Sequence, residues 1–129
     1  MSKSSVESKN APLPIGPYSQ AIEINGLMFI SGQIPLHPST GEVSPGGIGE
    51  QTRIVLTHIR SILAETGLNL SHIVKTTVFL KSLSDFSGMN EVYAEFFEGT
   101  IPPARAAVEV ARLPKDVLVE IDAVACLKA

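Results

Sequence analysis

Arg105 stands in a run of small and apolar residues, Pro103-Ala104-Arg105-Ala106-Ala107-Val108. Alanines on either side leave open space around its head. The planar guanidinium fork suits a carboxylate or phosphate gripped by two parallel hydrogen bonds. The competing reading is a buried ion pair with a carboxylate such as Glu120. Glu120 lies in the middle of a strand-like run. It is either a solvated surface carboxylate or a partly desolvated one that holds a water and moves a proton.

Other candidates are weaker. Tyr18 follows Gly16-Pro17 on a stiff segment. Its ring and hydroxyl either orient a ligand or lie as a lid over the core. At Ser31-Gly32 the glycine lets a ligand approach the backbone, but no His or Asp stands at a spacing that makes a serine hydrolase. Asn90 is a polar residue inside a helical stretch, on a solvated face or at a site. His37, His58 and His72 form no ligand pattern, and the single cysteine, Cys126, makes neither an intrachain disulfide nor a metal cage. Cys126 reads as a small buried strand residue. No metal site is expected.

The elements that position these residues can be read from pattern. The chain has 129 residues, 44% hydrophobic and 18% charged, a globular composition. Residues 1–10 are polar and read as a flexible, frayed N-terminal tail without a secretory signal; residues 11–129 read as a single domain. No apolar run approaches the ~20 residues of a membrane span, and a cytoplasmic address is the default. The net charge of −3, without a basic stripe, argues against a nucleic-acid backbone as partner.

Asn25-Gly26 between two apolar runs predicts a hairpin. Val55, Ile59, Ile62 and Leu63 form the stripe of a helix over about 50–66, capped by Gly67. Residues 73–80 predict a strand. A second helix covers about 85–98, with Ser84 at its N-cap and Phe86, Met89, Tyr93, Phe96 and Phe97 on one face. Strands follow at 104–111 and 117–126. The order ββαβαββ makes an α+β sheet with both helices on one face.

Two tensions follow from that layout. The other sheet face carries Leu118, Val124 and Cys126 beside Glu120 and Asp122, so a self-complementary oligomer is expected to cover it. If residues 113–116 form a tight hairpin turn, Glu109 faces Glu120, which is unfavourable. Arg105 then sits about four residues, ~13 Å, along the strand from Glu120. Either the register differs or the pocket draws on more than one chain.

Over about 11–127 the sequence resembles the RidA (YjgF/YER057c/UK114) family of enamine and imine deaminases. The segments that carry the resemblance are Gly16-Pro17-Tyr18-Ser19-Gln20-Ala21, Ser31-Gly32-Gln33-Ile34-Pro35, Lys75-Thr76-Thr77-Val78-Phe79-Leu80, and Pro103-Ala104-Arg105 through Ala111-Arg112-Leu113-Pro114-Lys115-Asp116 to Val119-Glu120-Ile121. The resemblance implies a chorismate-mutase-like fold and a homotrimer with pockets at subunit seams. It implies no cofactor, and small 2-imino acids (2-aminoacrylate, 2-iminobutanoate, 2-iminopropanoate) as substrates that become 2-keto acids and ammonia. Such activity protects pyridoxal-phosphate enzymes from damage. It also implies Arg105 as carboxylate clamp and Glu120 as the group on water. Tyr18, Ser31 and Asn90, with backbone at Gly32 and Ala107, are the implied remaining substrate contacts. Many bacterial members carry a cysteine where this chain has Ala107, so the nucleophile expected here is water. Two other readings stand beside the enzyme: a ligand-sensing, translation-inhibiting or ribonuclease protein, and a scaffold with a vestigial pocket.

Overall fold

A computed structural model describes residues 2–127. Six strands form one mixed sheet: β1 (Ser4–Val6), β2 (Ala21–Ile24), β3 (Leu27–Gln33), β4 (Ile73–Leu80), β5 (Ala104–Glu109) and β6 (Val119–Cys126), in the spatial order β1-β2-β3-β6-β4-β5. Helices α1 (Ile48–Ala64) and α2 (Phe86–Phe97) pack on one face. The α+β reading and the placement of both helices hold.

The β2–β3 hairpin turns on Asn25 (φ 56°) and Gly26 (φ 80°), as an Asn-Gly pair in a primed turn requires. Helix α1 closes at Gly67 (φ 75°), where the Leu68 amide returns to the Leu63 carbonyl at 3.0 Å. Its stripe, Val55, Ile59, Ile62 and Leu63, is fully buried against the sheet. Helices α1 and α2 are clipped together outside by an Arg53–Glu95 ion pair of 2.8 Å and by Arg60 lying 5.2 Å over the Phe96 ring.

Four expectations need correction. Residues 1–10 are not simply a frayed tail: Ser4–Val6 pairs antiparallel with β2, and Val6 and Ser8 are buried. The segment that follows β1 is held by Gln20, itself buried. Its Oε1 accepts from the Ser8 amide, and its Nε2 donates to the carbonyls of Ser8, Ala11 and Pro12 at 3.1, 3.3 and 2.9 Å. One side-chain amide thus satisfies backbone groups that would otherwise be stranded away from water. Second, Ser84 does not cap α2. Asp85 holds the N-cap position without a side-chain bond, and Ser82 caps the preceding 3-10 turn through the Ser84 amide.

Third, β5 and β6 are not a hairpin. Strand β4 lies between them, antiparallel to β6 and parallel to β5. A helix-spanning connection such as β4–α2–β5 returns the chain parallel, and Pro102-Pro103 is tolerated because β5 is an edge strand. The awkward glutamate pairing disappears with the hairpin: Glu109 accepts from the Leu83 amide at 2.9 Å, and Glu120 faces Phe79. Fourth, Cys126 is only half-buried. It shares the helix-free face with Glu120, Asp122 and Val124.

Candidate functional site

Strand β5 presents Arg105 on the helix side of the sheet. Its register partner Thr76 is fully buried there, and Thr76 in turn faces Ala123. The side chain crosses the sheet margin to α2. Arg105 Nη1 donates to Asn90 Oδ1 at 2.7 Å, and the guanidinium lies 4.7 Å from the Tyr93 ring and 5.4 Å from the Phe86 ring. Among the described residues no carboxylate pairs with it; the ion pairs are Arg53–Glu95 and Arg112–Asp116. The expected alternative, an Arg105–Glu120 pair, is therefore not what this chain forms. Asn90, Tyr93, Pro103 and Arg105 border a hollow of ≈ 610 Å³.

Ala107 lies two residues on, on the same face, against the core. The Val110 amide donates inward to the Leu80 carbonyl. Alternation along a strand then turns the amides of Arg105 and Ala107 to the open edge, where a ligand can reach them.

Glu120 is on the opposite face. It lies over Gly32, where β3 carries a bulge: Ile30 faces Ala123 and Gln33 faces Ile121, so one extra residue is accommodated. A Cβ at Gly32 would run into the Glu120 carboxylate, so only glycine admits this packing. Burial pushes the Glu120 pKa up, and the nearby Asp122 charge adds to the effect. The bulge also orients Ser31, whose hydroxyl donates to the Ser19 carbonyl at 2.6 Å. That bond fixes the lead-in segment bearing Tyr18, whose half-exposed ring has its hydroxyl 3.4 Å from the Ile15 amide. Tyr18, Ser31, Gly32 and Glu120 border a second hollow of ≈ 480 Å³, shared with Ile15, Ile34, Pro114 and Lys115.

The sequence candidates therefore gather into two groups on opposite faces: Arg105 and Asn90 in one, Tyr18, Ser31, Gly32 and Glu120 in the other. Lys115, Ile15 and Ile34 are additional members that pattern reading passed over. Lys115 and Asp116 both adopt left-handed backbone at φ 56°, a conformation that costs a residue with a side chain and tends to cluster at functional sites. The rim is fixed by Arg112, which grips the Asp116 carboxylate at 3.0 and 3.2 Å. The available signal was the turn segment Leu113-Pro114-Lys115-Asp116.

The Gly32 contact has a direct consequence. Its backbone does not require glycine, so Gly32→Ala is expected to leave the melting temperature nearly unchanged while moving the Glu120 carboxylate. Misplacing a reacting group by about 1 Å can cost roughly a hundredfold. Turnover at least tenfold below wild type in a folded Gly32→Ala protein would be the mark of that displacement; wild-type turnover would show that the contact does not matter.

Together, the fold and its hollows define a class: a small α+β protein with helices on one sheet face and polar recesses at the sheet margins. Comparison with known proteins narrows this. The family described as Endoribonuclease L-PSP matches residues 8–127. A RutC family protein of Pyrococcus abyssi is 54% identical over 125 residues, covering 97% of this chain and 98% of the relative. The crystal structure of YyfA from Yersinia pestis, described as a protein of unknown function of the conserved Rid protein family, superposes with a TM-score of 0.94. It is 50% identical and covers 97% of this chain and 99% of that one. E. coli TdcF with bound serine superposes with a TM-score of 0.91 at 43% identity, covering 95% and 98%. The chain belongs to the endoribonuclease L-PSP family, which includes the RidA (YjgF/YER057c/UK114) proteins it resembles.

Proposed function

We propose that the protein hydrolyses small 2-imino acids, 2-aminoacrylate, 2-iminobutanoate and 2-iminopropanoate, to 2-keto acids and ammonia. The observation that carries this reading is the state of Arg105: held by Asn90, lying over two aromatic rings, and without a carboxylate partner among the described residues. Such an arginine is preset for a ligand's carboxylate. Serine, named as bound in the TdcF crystal structure, is a carboxylate-bearing ligand of matching size.

The chemistry asks little of the protein. An imine carbon is electrophilic, more so when its nitrogen is protonated. Arg105 binds the substrate carboxylate, and the open-edge amides of Arg105 and Ala107 assist. Glu120 orients a water, takes its proton as oxygen bonds to carbon, and returns it to nitrogen. As the C=O forms, Glu120 carries the aminol hydroxyl proton to the departing nitrogen and ammonia leaves, so one imine and one water give one keto acid and one ammonia. Tyr18, Ser31 and Asn90 complete the substrate contacts. An enamine first takes a proton on carbon to become the imine.

The two groups lie on opposite faces, so within this reading one pocket combines the β5 edge of one copy with the Glu120 face of another. A homotrimer, the state implied by the sequence resemblance, closes three such seams and covers Val124 and Cys126. This assembly is part of the proposal.

The test couples a threonine dehydratase to the purified protein and follows loss of the released imine. Loss faster than in buffer is expected; a rate equal to buffer overturns the reading. RNA cleavage by highly purified protein that vanishes in Arg105→Ala would move the function to the ribonuclease alternative.

A further inference from the structure

We propose that Tyr93 and Thr76 form a positioning platform that sets the Arg105 guanidinium for ligand capture. The inference deepens the deaminase reading and rests on it for its kinetic consequences.

Four contacts carry the argument. Thr76 Oγ1 and Tyr93 Oη are 2.7 Å apart, the Thr76 side being fully buried. Thr76 is also the β4 residue directly beside Arg105. The ring is therefore pinned at its hydroxyl end by a residue whose backbone is locked in register with the arginine's own. At its other side the ring packs on Phe97, with centroids 4.6 Å apart. The guanidinium then lies over this ring at 4.7 Å. The ring cannot swing away without breaking a buried hydrogen bond.

Stacking on an aromatic face orients an arginine without using its donors. The attraction acts on the guanidinium face, while the N–H groups point outward in its plane. Among the described residues, only Nη1 is engaged, by Asn90. Of the five N–H donors of an arginine, the rest are left for a ligand. An unsupported arginine would have to lose its rotamer freedom on binding. Here the loss occurs on folding. Tyr93 and Thr76 touch no reacting atom in this scheme and act through Arg105.

The test reads Arg105 directly. In a two-dimensional nitrogen–proton spectrum of the full chain, the Arg105 Nε–H signal is identified as the one absent from Arg105→Gln. An aromatic face beneath it should move that signal upfield. Tyr93→Leu is expected to remove most of the displacement, leaving the smaller part due to Phe86. It should also raise both KM for the imine and Kd for 2-ketobutyrate about tenfold, with kcat within about twofold, the pattern of lost uniform binding. Thr76→Val and Tyr93→Phe should shift the signal partway, and Thr76→Ser, which keeps the hydroxyl, should restore wild-type values.

An Arg105 signal unmoved in Tyr93→Leu overturns the platform. So does a moved signal with KM and Kd unchanged, or an equal loss in Thr76→Ser and Thr76→Val. If Tyr93→Leu does not fold, the near-isosteric Tyr93→Phe and Thr76→Val decide by the same signal. A wild-type protein that neither turns over imine nor binds keto acid sinks the deaminase reading instead, and the Arg105 signal still decides the platform.

Discussion

Arg105→Ala is expected to lower kcat/KM for 2-iminobutanoate about a thousandfold. Removing one partner of a desolvated, hydrogen-bonded charge pair costs 2–5 kcal/mol or more, and about 4 kcal/mol corresponds to roughly that factor. Most of the loss should be in KM, because the carboxylate is gripped before and during reaction alike. Some should be in kcat, since an unclamped imine no longer meets its water in line. Arg105→Lys keeps the charge but loses the fork, and should recover only part of the loss. Among the described residues Arg105 bridges only to Asn90 and aromatic rings, so the substitution breaks no ion pair among them and folding should survive. The decisive measurement is imine turnover together with 2-ketobutyrate titration by calorimetry. Undiminished turnover in folded Arg105→Ala would end the clamp model.

Glu120→Gln separates chemistry from binding. Losing a general base typically costs 10²–10⁴-fold, so kcat is expected to fall by about 10²–10³ with keto-acid affinity nearly unchanged. The pH behaviour follows from the raised carboxyl pKa, caused first by burial and then by Asp122. Activity that needs the carboxylate should rise with pH through that pKa, above the ordinary glutamate value, and level off beyond it. Stability runs the other way. Between the unfolded and folded pKa the native state binds more protons than the unfolded chain, so stability falls as pH rises through that window. The charged Glu120 opposes folding above its folded pKa and not below the unfolded one. Glu120→Gln should therefore melt at or above the wild-type temperature at neutral pH, with the difference closing in acid. A variant that melts lower at neutral pH and keeps full kcat would contradict both parts.

Local pattern carried the elements further than it carried their arrangement. The hairpin, both helices and β4 lie within a few residues of where alternation and the helical stripes put them, because turn chemistry and periodicity are local. Pairing partners are not. Nothing local in residues 104–126 announces that β4 inserts between β5 and β6; that follows from α2 returning the chain parallel. The polar opening residues concealed β1 because, among the described residues of that stretch, Val6 is the one buried apolar side chain, and the Ser8–Pro12 segment behind it is tied down by Gln20, twelve positions beyond Ser8. For the site, the residue types that matter were visible, but their division between two faces was not. The hairpin register put Arg105 and Glu120 on one face, whereas β4 inserted between their strands turns the two side chains to opposite faces. Lys115 escaped notice because its left-handed backbone is not written in its residue type.

The central place of β6 has a consequence for how the molecule is made. Strand β6 sits between β3 and β4 yet follows both in sequence, pairing Leu27 with Cys126 across 99 positions. During synthesis the β1–β2–β3 unit and the β4–α2–β5 unit must wait, each with an open hydrogen-bonding edge, until the last-made strand emerges to join them. Such late, long-range closure slows folding and leaves strand edges open to misassociation in the interval. Chain-elongation arrest before residue 119 should thus leave a species that chaperones bind, and release of the finished strand is the step that commits the nascent chain to its native sheet.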